Sequence, residues 1–171
     1  MARFFLIVCV IFLSGCLQTP PQDTASASGE VVVEYDKFKQ ERIIRTPLYL
    51  SKQGFTDTFP VSLAYEATEK NGAIKLIRLY VVTTRTEWGF YRSATGEDGY
   101  EFQFFEVDGE VDSAGGIVTV EEHFSLSVPI AQLRRMVSSD YEIKVYGKRD
   151  SGVFTVPASV TRAFLNKLNS L

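Results

Sequence analysis

A twelve-residue run from Ala73 to Thr84 places the strongest constraint on how this chain can fold. In extended form its sequence, AIKLIRLYVVTT, presents apolar side chains on both faces. One face carries Ile77, Leu79 and Val81, and the other carries Ile74, Leu76, Tyr80 and Val82. A strand that is apolar on both faces is normally covered on both sides. The run therefore predicts a β-strand at the centre of a sheet.

Several other stretches show the alternation with period two that is typical of β-strands. They lie at residues 31–35, 42–50, 61–67, 100–107, 117–128, 141–146 and 153–156. Asn71-Gly72 indicates a tight hairpin turn, Pro47 suits an edge or a bend, and a slip in phase after Phe104 indicates a bulge. We expect a mainly β fold, with α+β as an alternative, built as an antiparallel β-sandwich or a strongly curved sheet.

The sequence also predicts two helices. Pro129 is suited to opening a short one, with Ile130, Leu133 and Val137 on one side. Near the chain end an apolar stripe recurs at helical spacing, formed by Val160, Phe164, Leu168 and Leu171. Such a stripe predicts a C-terminal amphipathic helix that packs against the sheet.

The domain organisation follows from length and composition. Residues 30–171 suffice for a single globular β-rich domain. The preceding residues 17–29 have the sequence LQTPPQDTASASG, which is typical of a flexible linker. Fully extended, such a linker reaches about 45 Å. We therefore expect the domain to stand off from whatever holds residue 16.

The first fifteen residues have the pattern of an export signal. Arg3 supplies a positive start, residues 4–13 form an apolar run, and the small residues Ser14 and Gly15 precede Cys16. These three features define a cleavable signal peptide. The rival interpretation is an uncleaved anchor helix, but crossing the hydrocarbon takes roughly 20 apolar residues. We therefore predict that residues 1–15 are removed.

Leu13-Ser14-Gly15-Cys16 resembles the lipobox of bacterial lipoproteins. The resemblance implies cleavage before Cys16, a diacylglycerol on its sulfur and, in many bacteria, acylation of the new amine. Leu17 stands where Asp would favour inner-membrane retention, so the resemblance implies the outer membrane, facing the periplasm, in a Gram-negative cell. It covers residues 1–16 only, and the remainder resembles no family that we recognise.

Composition then excludes several classes of partner. Cys9 is lost with the signal, so the mature domain has no thiol besides Cys16 and forms no internal disulfide. Without Arg3, 17 basic side chains face 21 acidic ones. This balance argues against a nucleic-acid partner and against electrostatic adhesion to anionic lipid. The lipid on Cys16 is the expected membrane contact, and no cofactor is expected.

Glu121, Glu122 and His123 are the candidate catalytic residues. His123 is the only histidine, and Glu121 shares its phase on the strand, so the two could perform acid–base chemistry. The alternative interpretation is a solvated strand face. One histidine without free cysteine predicts no zinc site, and no GxSxG elbow accompanies it.

Glu122 has a phase that puts it among the apolar residues Val118, Val120 and Phe124. A carboxylate in such a place must be paired, lie at a rim, or be functional. Arg78 similarly interrupts an apolar face of the central strand. We consider two hypotheses: Glu122 pairs with Arg78, or each residue lies near a sheet edge.

Trp88, Phe90, Tyr91 and Arg92 form the candidate binding surface. Aromatic residues beside an arginine have the composition of binding hot spots. The alternative is an aromatic core cluster at the end of the central strand. A second candidate, with Asp108, Glu110 and Asp112, we interpret as a solvated hairpin turn. It lacks the Gly and Glu that a calcium loop requires at its sixth and twelfth positions.

The favoured function is therefore a lipid-anchored bacterial envelope protein that acts as a non-catalytic binding or assembly module for a protein, glycan or small ligand. One alternative is a periplasmic hydrolase that uses the residues around His123. Another is a purely structural envelope component, in which Trp88 would be buried.

Overall fold

A computed structural model describes residues 19–51, 60–114 and 116–171 and shows ten strands and three helices among them. The strands are β1 (Val32–Asp36), β2 (Glu41–Arg45), β3 (Tyr49–Leu50), β4 (Val61–Lys70), β5 (Ala73–Arg85), β6 (Tyr91–Gly96), β7 (Glu101–Ala114), β8 (Ile117–Ser127), β9 (Tyr141–Gly147) and β10 (Ser151–Val156). The helices are α1 (Thr24–Gly29), α2 (Ile130–Arg135) and α3 (Ala158–Asn169). The predicted signal peptide and lipobox, Cys16 included, lie outside the described residues.

All pairings of these strands are antiparallel, and they form one sheet in the order β1-β2-β4-β5-β8-β7-β6-β9-β10, with β3 also pairing with β4. The sheet is strongly curled, and its inner face carries the core. The prediction of a mainly β fold is confirmed. Of the two architectures considered, the curved sheet is the one found.

Strand β5 lies near the middle of the sheet, between β4 and β8, as predicted. Its inner-face residues Leu79 and Val81 are fully buried. Its other face is only half covered, and Ile74 at one end is 36% exposed. The predicted turn at Asn71-Gly72 is confirmed, since both residues adopt the positive φ of a tight hairpin.

The long hairpin of β7 and β8 contains a bulge, as predicted, but its register shifts between Glu106 and Asp108 and not directly after Phe104. The acidic residues Asp108, Glu110 and Asp112 lie on β7 itself. The chain reverses only between Ala114 and Ile117, so the prediction of a turn at these acidic positions is wrong. Alternation of charged and small residues weakens the strand signal there, although the cross-strand pairing holds.

The C-terminal helix α3 packs against the inner face, as predicted. Phe164 stacks on Tyr65 with ring centroids 4.9 Å apart, and Val160 is fully buried. Thr161 is fully buried as well. Its hydroxyl is not left unpaired, because it lies 3.1 Å from that of Tyr65 and donates to the carbonyl of Pro157. In the short helix α2, Leu133 is buried whereas Ile130 is exposed.

The predicted linker over residues 17–29 is wrong for its second half, which forms α1. Asp23 caps this helix by accepting from the Ser26 amide at 2.8 Å, and the small side chain of Ala27 is buried. The Ser159 hydroxyl also donates to the Pro21 carbonyl at 2.7 Å. The chain is thus held on the body from Pro20 onward, and the residues from Cys16 to Pro20 reach at most about 15 Å. In the described part of the chain, the helices are all too short or too polar to cross a bilayer.

Candidate ligand-binding cleft

Strands β6 and β7 pair at only two positions and then part. The paired residues are Ala94 with Phe102 and Thr95 with Glu101. On the other side of these pairs lies a cleft of about 400 Å³, a volume within the range of small ligand sites. Trp88, Phe90, Tyr91 and Arg92 border it from the β6 side, and Phe104, Glu106, Val107, Asp108 and Gly109 border it from β7.

Glu122 reaches this cleft from β8 and holds one of its walls. Its side-chain oxygens accept from the backbone amides of Gly89 at 2.6 Å, Phe90 at 2.8 Å and Tyr91 at 3.4 Å. Glu122 is only 9% exposed, so these charge-assisted bonds offset the cost of burying its carboxylate. Glu122 therefore lies among apolar residues because its carboxylate stabilises the loop of residues 88–91, which we call the aromatic loop.

Both hypotheses about Glu122 and Arg78 are wrong. In the register of β5 with β8, Glu122 lies opposite Thr83, whereas Arg78 lies opposite Ser127. The guanidinium of Arg78 instead lies over the ring of Phe105, 5.8 Å from its centroid. Neither residue lies at an edge, because β5 and β8 are both inner strands of the sheet.

The carbonyl groups of the same loop are also held. The Gly89 carbonyl accepts from the Arg149 amide at 3.1 Å, and that of Phe90 accepts from the Lys148 amide at 3.0 Å. Gly147 permits this approach, since a Cβ there would lie 2.2 Å from the Gly89 oxygen. With both its amides and its carbonyls bonded, the loop forms a fixed wall of the cleft.

The aromatic side chains on this wall are partly open to solvent. Phe90 has a φ of +54°, is 40% exposed, and stacks on half-buried Trp88 with ring centroids 6.2 Å apart. Gly109 of β7 admits the indole, because a Cβ at that position would lie 2.7 Å from the Trp88 ring. Left-handed backbone in a bulky residue costs energy and concentrates at functional sites.

The predicted binding set thus divides in two. Trp88 and Phe90 present their rings to the cleft, and Arg92 lies exposed at its rim. Tyr91 is 3% exposed and packs on Phe124 of the core. Burial raises the pKa of Tyr91 to about 12, against the opposing effect of Arg85. Tyr91 therefore lies in the core, and Trp88, Phe90 and Arg92 stay candidates for binding.

Glu122 and His123 both border the cleft, but the side-chain bonds of the predicted catalytic residues do not converge on one point. Glu122 directs its carboxylate to the aromatic loop, whereas Glu121 and His123 make their bonds on the outer face of the sheet. There His123 Nδ1 lies 2.7 Å from the Tyr80 hydroxyl, and Nε2 lies 3.4 Å from Glu121 and 3.7 Å from Glu110. Burial chiefly, with help from the nearby carboxylates, raises the pKa of Tyr80.

Glu110 is a member of this outer cluster that sequence reasoning missed. It lies directly opposite Glu121 in the register of β7 with β8. Ligand atoms of Glu110, Glu121 and His123 lie within 4.8 Å of one another, and nitrogen with carboxylate oxygen is a set that divalent metals accept. Spacing along the chain shows Glu121 beside His123 but carries no sign of Glu110, because that contact depends on cross-strand register.

The hairpin of β7 and β8 carries acidic side chains and no Lys or Arg. No Lys or Arg occurs between residues 93 and 133, and β7 with β8 together carry seven of the 21 acidic residues. On the outer face of β7 these include Asp108, Glu110 and Asp112, all exposed. The sequence itself shows this gap in basic residues, and the gap marks the hairpin as the acidic part of the molecule.

No protein-family model, curated protein or solved structure matches the chain.

Proposed function

We propose that this protein is a lipid-anchored bacterial envelope component that binds a ligand in the cleft between β6 and β7 without transforming it. The observation that carries the proposal is the set of three bonds from Glu122 to the amides of residues 89–91. They hold this loop, from which the Phe90 ring is exposed, in a fixed and strained form. A binding wall gains from such preorganisation, because less freedom is lost when the ligand arrives.

The proposed anchor is the acylated sulfur of Cys16. One acyl chain holds a protein only marginally, at roughly 0.8 kcal/mol per buried methylene, so two or more chains make attachment lasting. The short reach between Cys16 and Pro20 supports a body that rests close to the bilayer surface. The cleft would then meet ligands of the envelope rather than distant ones.

Two observations favour binding over the alternative functions. A hydrolase at Glu121, Glu122 and His123 would need those side chains to meet at one substrate atom, and their bonds lie on opposite faces of the sheet. A purely structural component would bury Trp88, whereas Trp88 is only half-buried and its neighbour Phe90 is 40% exposed.

Trp88 offers a direct test of binding, because it is the only tryptophan and borders the cleft. We would titrate the full lipidated chain in detergent micelles with extended peptides, cell-wall glycan fragments and small apolar acids while following indole emission. Binding in the cleft shifts this emission. A photo-cross-linker at Phe90 should capture the same ligand, and one at the exposed Phe38, in the turn between β1 and β2, should not. Equal capture at both positions would refute the cleft as the binding site.

The hydrolase alternative has its own discriminating assay. The same protein would be screened against cell-wall and ester substrates, with His123→Ala as the matched variant. Turnover that disappears in His123→Ala would favour the enzyme over the binding module.

Replacing Cys16 with serine tests the anchor. Cys16→Ser removes the sulfur that would carry the diacylglycerol, so the variant should remain unprocessed at residue 15 and lose its lipid. Metabolic labelling with a palmitate analogue, followed by membrane fractionation, measures both effects. A labelled, correctly processed Cys16→Ser protein would refute the anchor.

A further inference from the structure

We propose that the ligand of the cleft is an extended polypeptide segment in which basic and apolar residues alternate, and that this segment adds as a strand to the free edge of β7. The inference rests on the proposed function, because it names the ligand class of that same cleft. Three features of the molecule carry it: an open strand edge, a largely apolar inner row and an acidic outer row.

The open edge begins where β6 and β7 part. On the β6 side, β7 is paired only at Glu101 and Phe102. From Gln103 to Ala114, no other described strand pairs with this edge, while the opposite edge is paired with β8 along its length. An unpaired edge presents alternate backbone amides and carbonyls that an extended peptide can bond. On β7 the amides of Gly109 and Ser113 donate to the side chains of Asp108 and Asp112, so a peptide would bond the remaining groups of the edge or replace these two bonds. The length of this edge admits a segment of about nine residues or more.

The inner side of this edge is apolar except at Glu106, which lies opposite Phe124 and borders the cleft. Phe104 stacks on Phe124 with ring centroids 4.8 Å apart and borders the cleft. Farther along, the Trp88 indole covers Gly109, and Val111 is 61% exposed. Side chains on the same face of adjacent strands are direct neighbours. An added strand would therefore place its inward side chains on this apolar row, with one of them in the cleft.

The outer side of the same edge is acidic. Asp108, Glu110 and Asp112 follow one another at alternate positions, opposite His123, Glu121 and Thr119 of β8. Outward side chains of an added strand would neighbour these carboxylates, so Lys and Arg fit there. The partner is thus defined by its pattern, with apolar residues inward and basic residues outward at period two.

The charges also argue against a second copy of this chain as the occupant. Pairing two β7 edges would bring exposed carboxylates together, and like charges across strands are destabilising. No Lys or Arg lies between residues 93 and 133 to relieve that repulsion. The acidic row and the bulge at Val107 discourage self-pairing, yet both leave the edge open to a basic strand.

The test uses the full lipidated chain in detergent micelles and a fluorescein-labelled nonapeptide that alternates Lys with Val. A block peptide of the same composition and a peptide with Glu for every Lys are the controls. The alternating peptide should bind, and the reversed-charge peptide should bind at least about tenfold more weakly, since several charge pairs are lost. On binding, hydrogen exchange should slow at the amides of residues 103–112. Equal binding of the block peptide, or unchanged exchange on β7, would overturn strand addition.

Matched protein variants locate the peptide. Asp108→Lys combined with Glu110→Lys should weaken binding about tenfold, whereas Glu142→Lys, an exposed acidic position on β9, should leave it unchanged. Equal effects of the two would overturn the proposed edge. If none of the peptides binds while a glycan or small acid shifts Trp88 emission and cross-links at Phe90, this inference is wrong and the proposed function stands. If the cleft responds to neither kind of ligand, both are wrong.

Discussion

The two ends of the β6–β7 pair are built for opposite purposes. At the closed end the turn is tight, with the Gly96 amide donating to the Tyr100 carbonyl at 2.9 Å. At the open end the strands part around a cleft and leave Phe90 exposed. The two strands are thus held together at one end and border an accessible cleft at the other. This difference shows that the cleft is accessible because β6 and β7 stop pairing before it.

Each end is organised by one carboxylate. At the closed end, Asp98 accepts from the Tyr141 hydroxyl and from Gln132 Nε2 at 3.2 Å. At the open end, Glu122 accepts from backbone amides of the aromatic loop. Asp98 is partly exposed and bonds to two side chains and one amide, whereas Glu122 is buried and bonds to three amides. Loss of Glu122 should therefore be far more damaging.

Glu122→Gln should have the largest effect. The amide oxygen can keep the two bonds that Oε1 accepts from Phe90 and Tyr91, but the NH₂ then faces the amide of buried Gly89. We therefore expect a loss of about 3 kcal/mol in the free energy of unfolding. Urea denaturation followed by Trp88 emission measures it. Glu121→Gln, its neighbour on the outer face, is the matched control and should cost less than about 1 kcal/mol. Comparable losses in the two variants would contradict the role assigned to Glu122.

Gly109→Ala should come next, since it attacks the open end from β7. The new Cβ would lie 2.7 Å from the Trp88 ring, so the indole must move, at a cost of about 2 kcal/mol. Trp88 emission should shift toward that of exposed indole. Gly29→Ala, where a Cβ meets nothing within 4 Å, is the control. An unshifted spectrum in Gly109→Ala would mean that the indole does not rest on β7.

Tyr141→Phe tests the closed end and should cost about 1 kcal/mol near neutral pH. The Tyr141 hydroxyl is the main cause that lowers the pKa of Asp98 below its usual 3.8. A lowered carboxyl pKa contributes stability that is present above the unfolded pKa and is lost as pH falls through the folded pKa. The variant should therefore lose less stability than the wild type on acidification below pH 4.

The same variant should change the alkaline side. Burial chiefly, and then the bond to Asp98, raises the pKa of Tyr141 above its usual 10. A raised phenol pKa contributes stability that is lost as pH rises above the unfolded value. The wild type should thus lose stability above pH 10, and Tyr141→Phe should lose less. Tyr146→Phe, which alters an exposed phenol on β9, is the control for both limbs.

Phe90→Gly should have the smallest effect on stability and a large effect on binding. Glycine adopts a φ of +54° without strain, and this gain of about 1 kcal/mol offsets the lost contact with Trp88. The free energy of unfolding should therefore barely change, while capture of ligand in the cleft falls. Phe38→Ala is the control for loss of an exposed aromatic and should bind ligand normally. A marked loss of stability in Phe90→Gly would show that the ring serves packing instead of access.

Much of the fold was predictable because its signals are local. The period of two identified β4, β5 and β8. The Asn71-Gly72 pair identified the hairpin turn between β4 and β5, and the apolar stripe identified α3. The helix α1 was missed because its sequence, TASASG, lacks an apolar stripe and is ordered by contact with α3. The acidic turn was misplaced because register, which is a property of two strands, decides where the chain reverses.

Only part of the candidate site could be predicted from the sequence. The sequence by itself determined which residue types gather near the cleft: the aromatic run 88–92, a carboxylate out of phase on β8, and a hairpin without basic residues. The tertiary structure alone decided that Glu122 faces the amides of residues 89–91, more than thirty positions away along the chain. It also decided where β6 and β7 stop pairing. Local periodicity fixes which face a side chain takes, but only the register and curl of the whole sheet decide what that face meets.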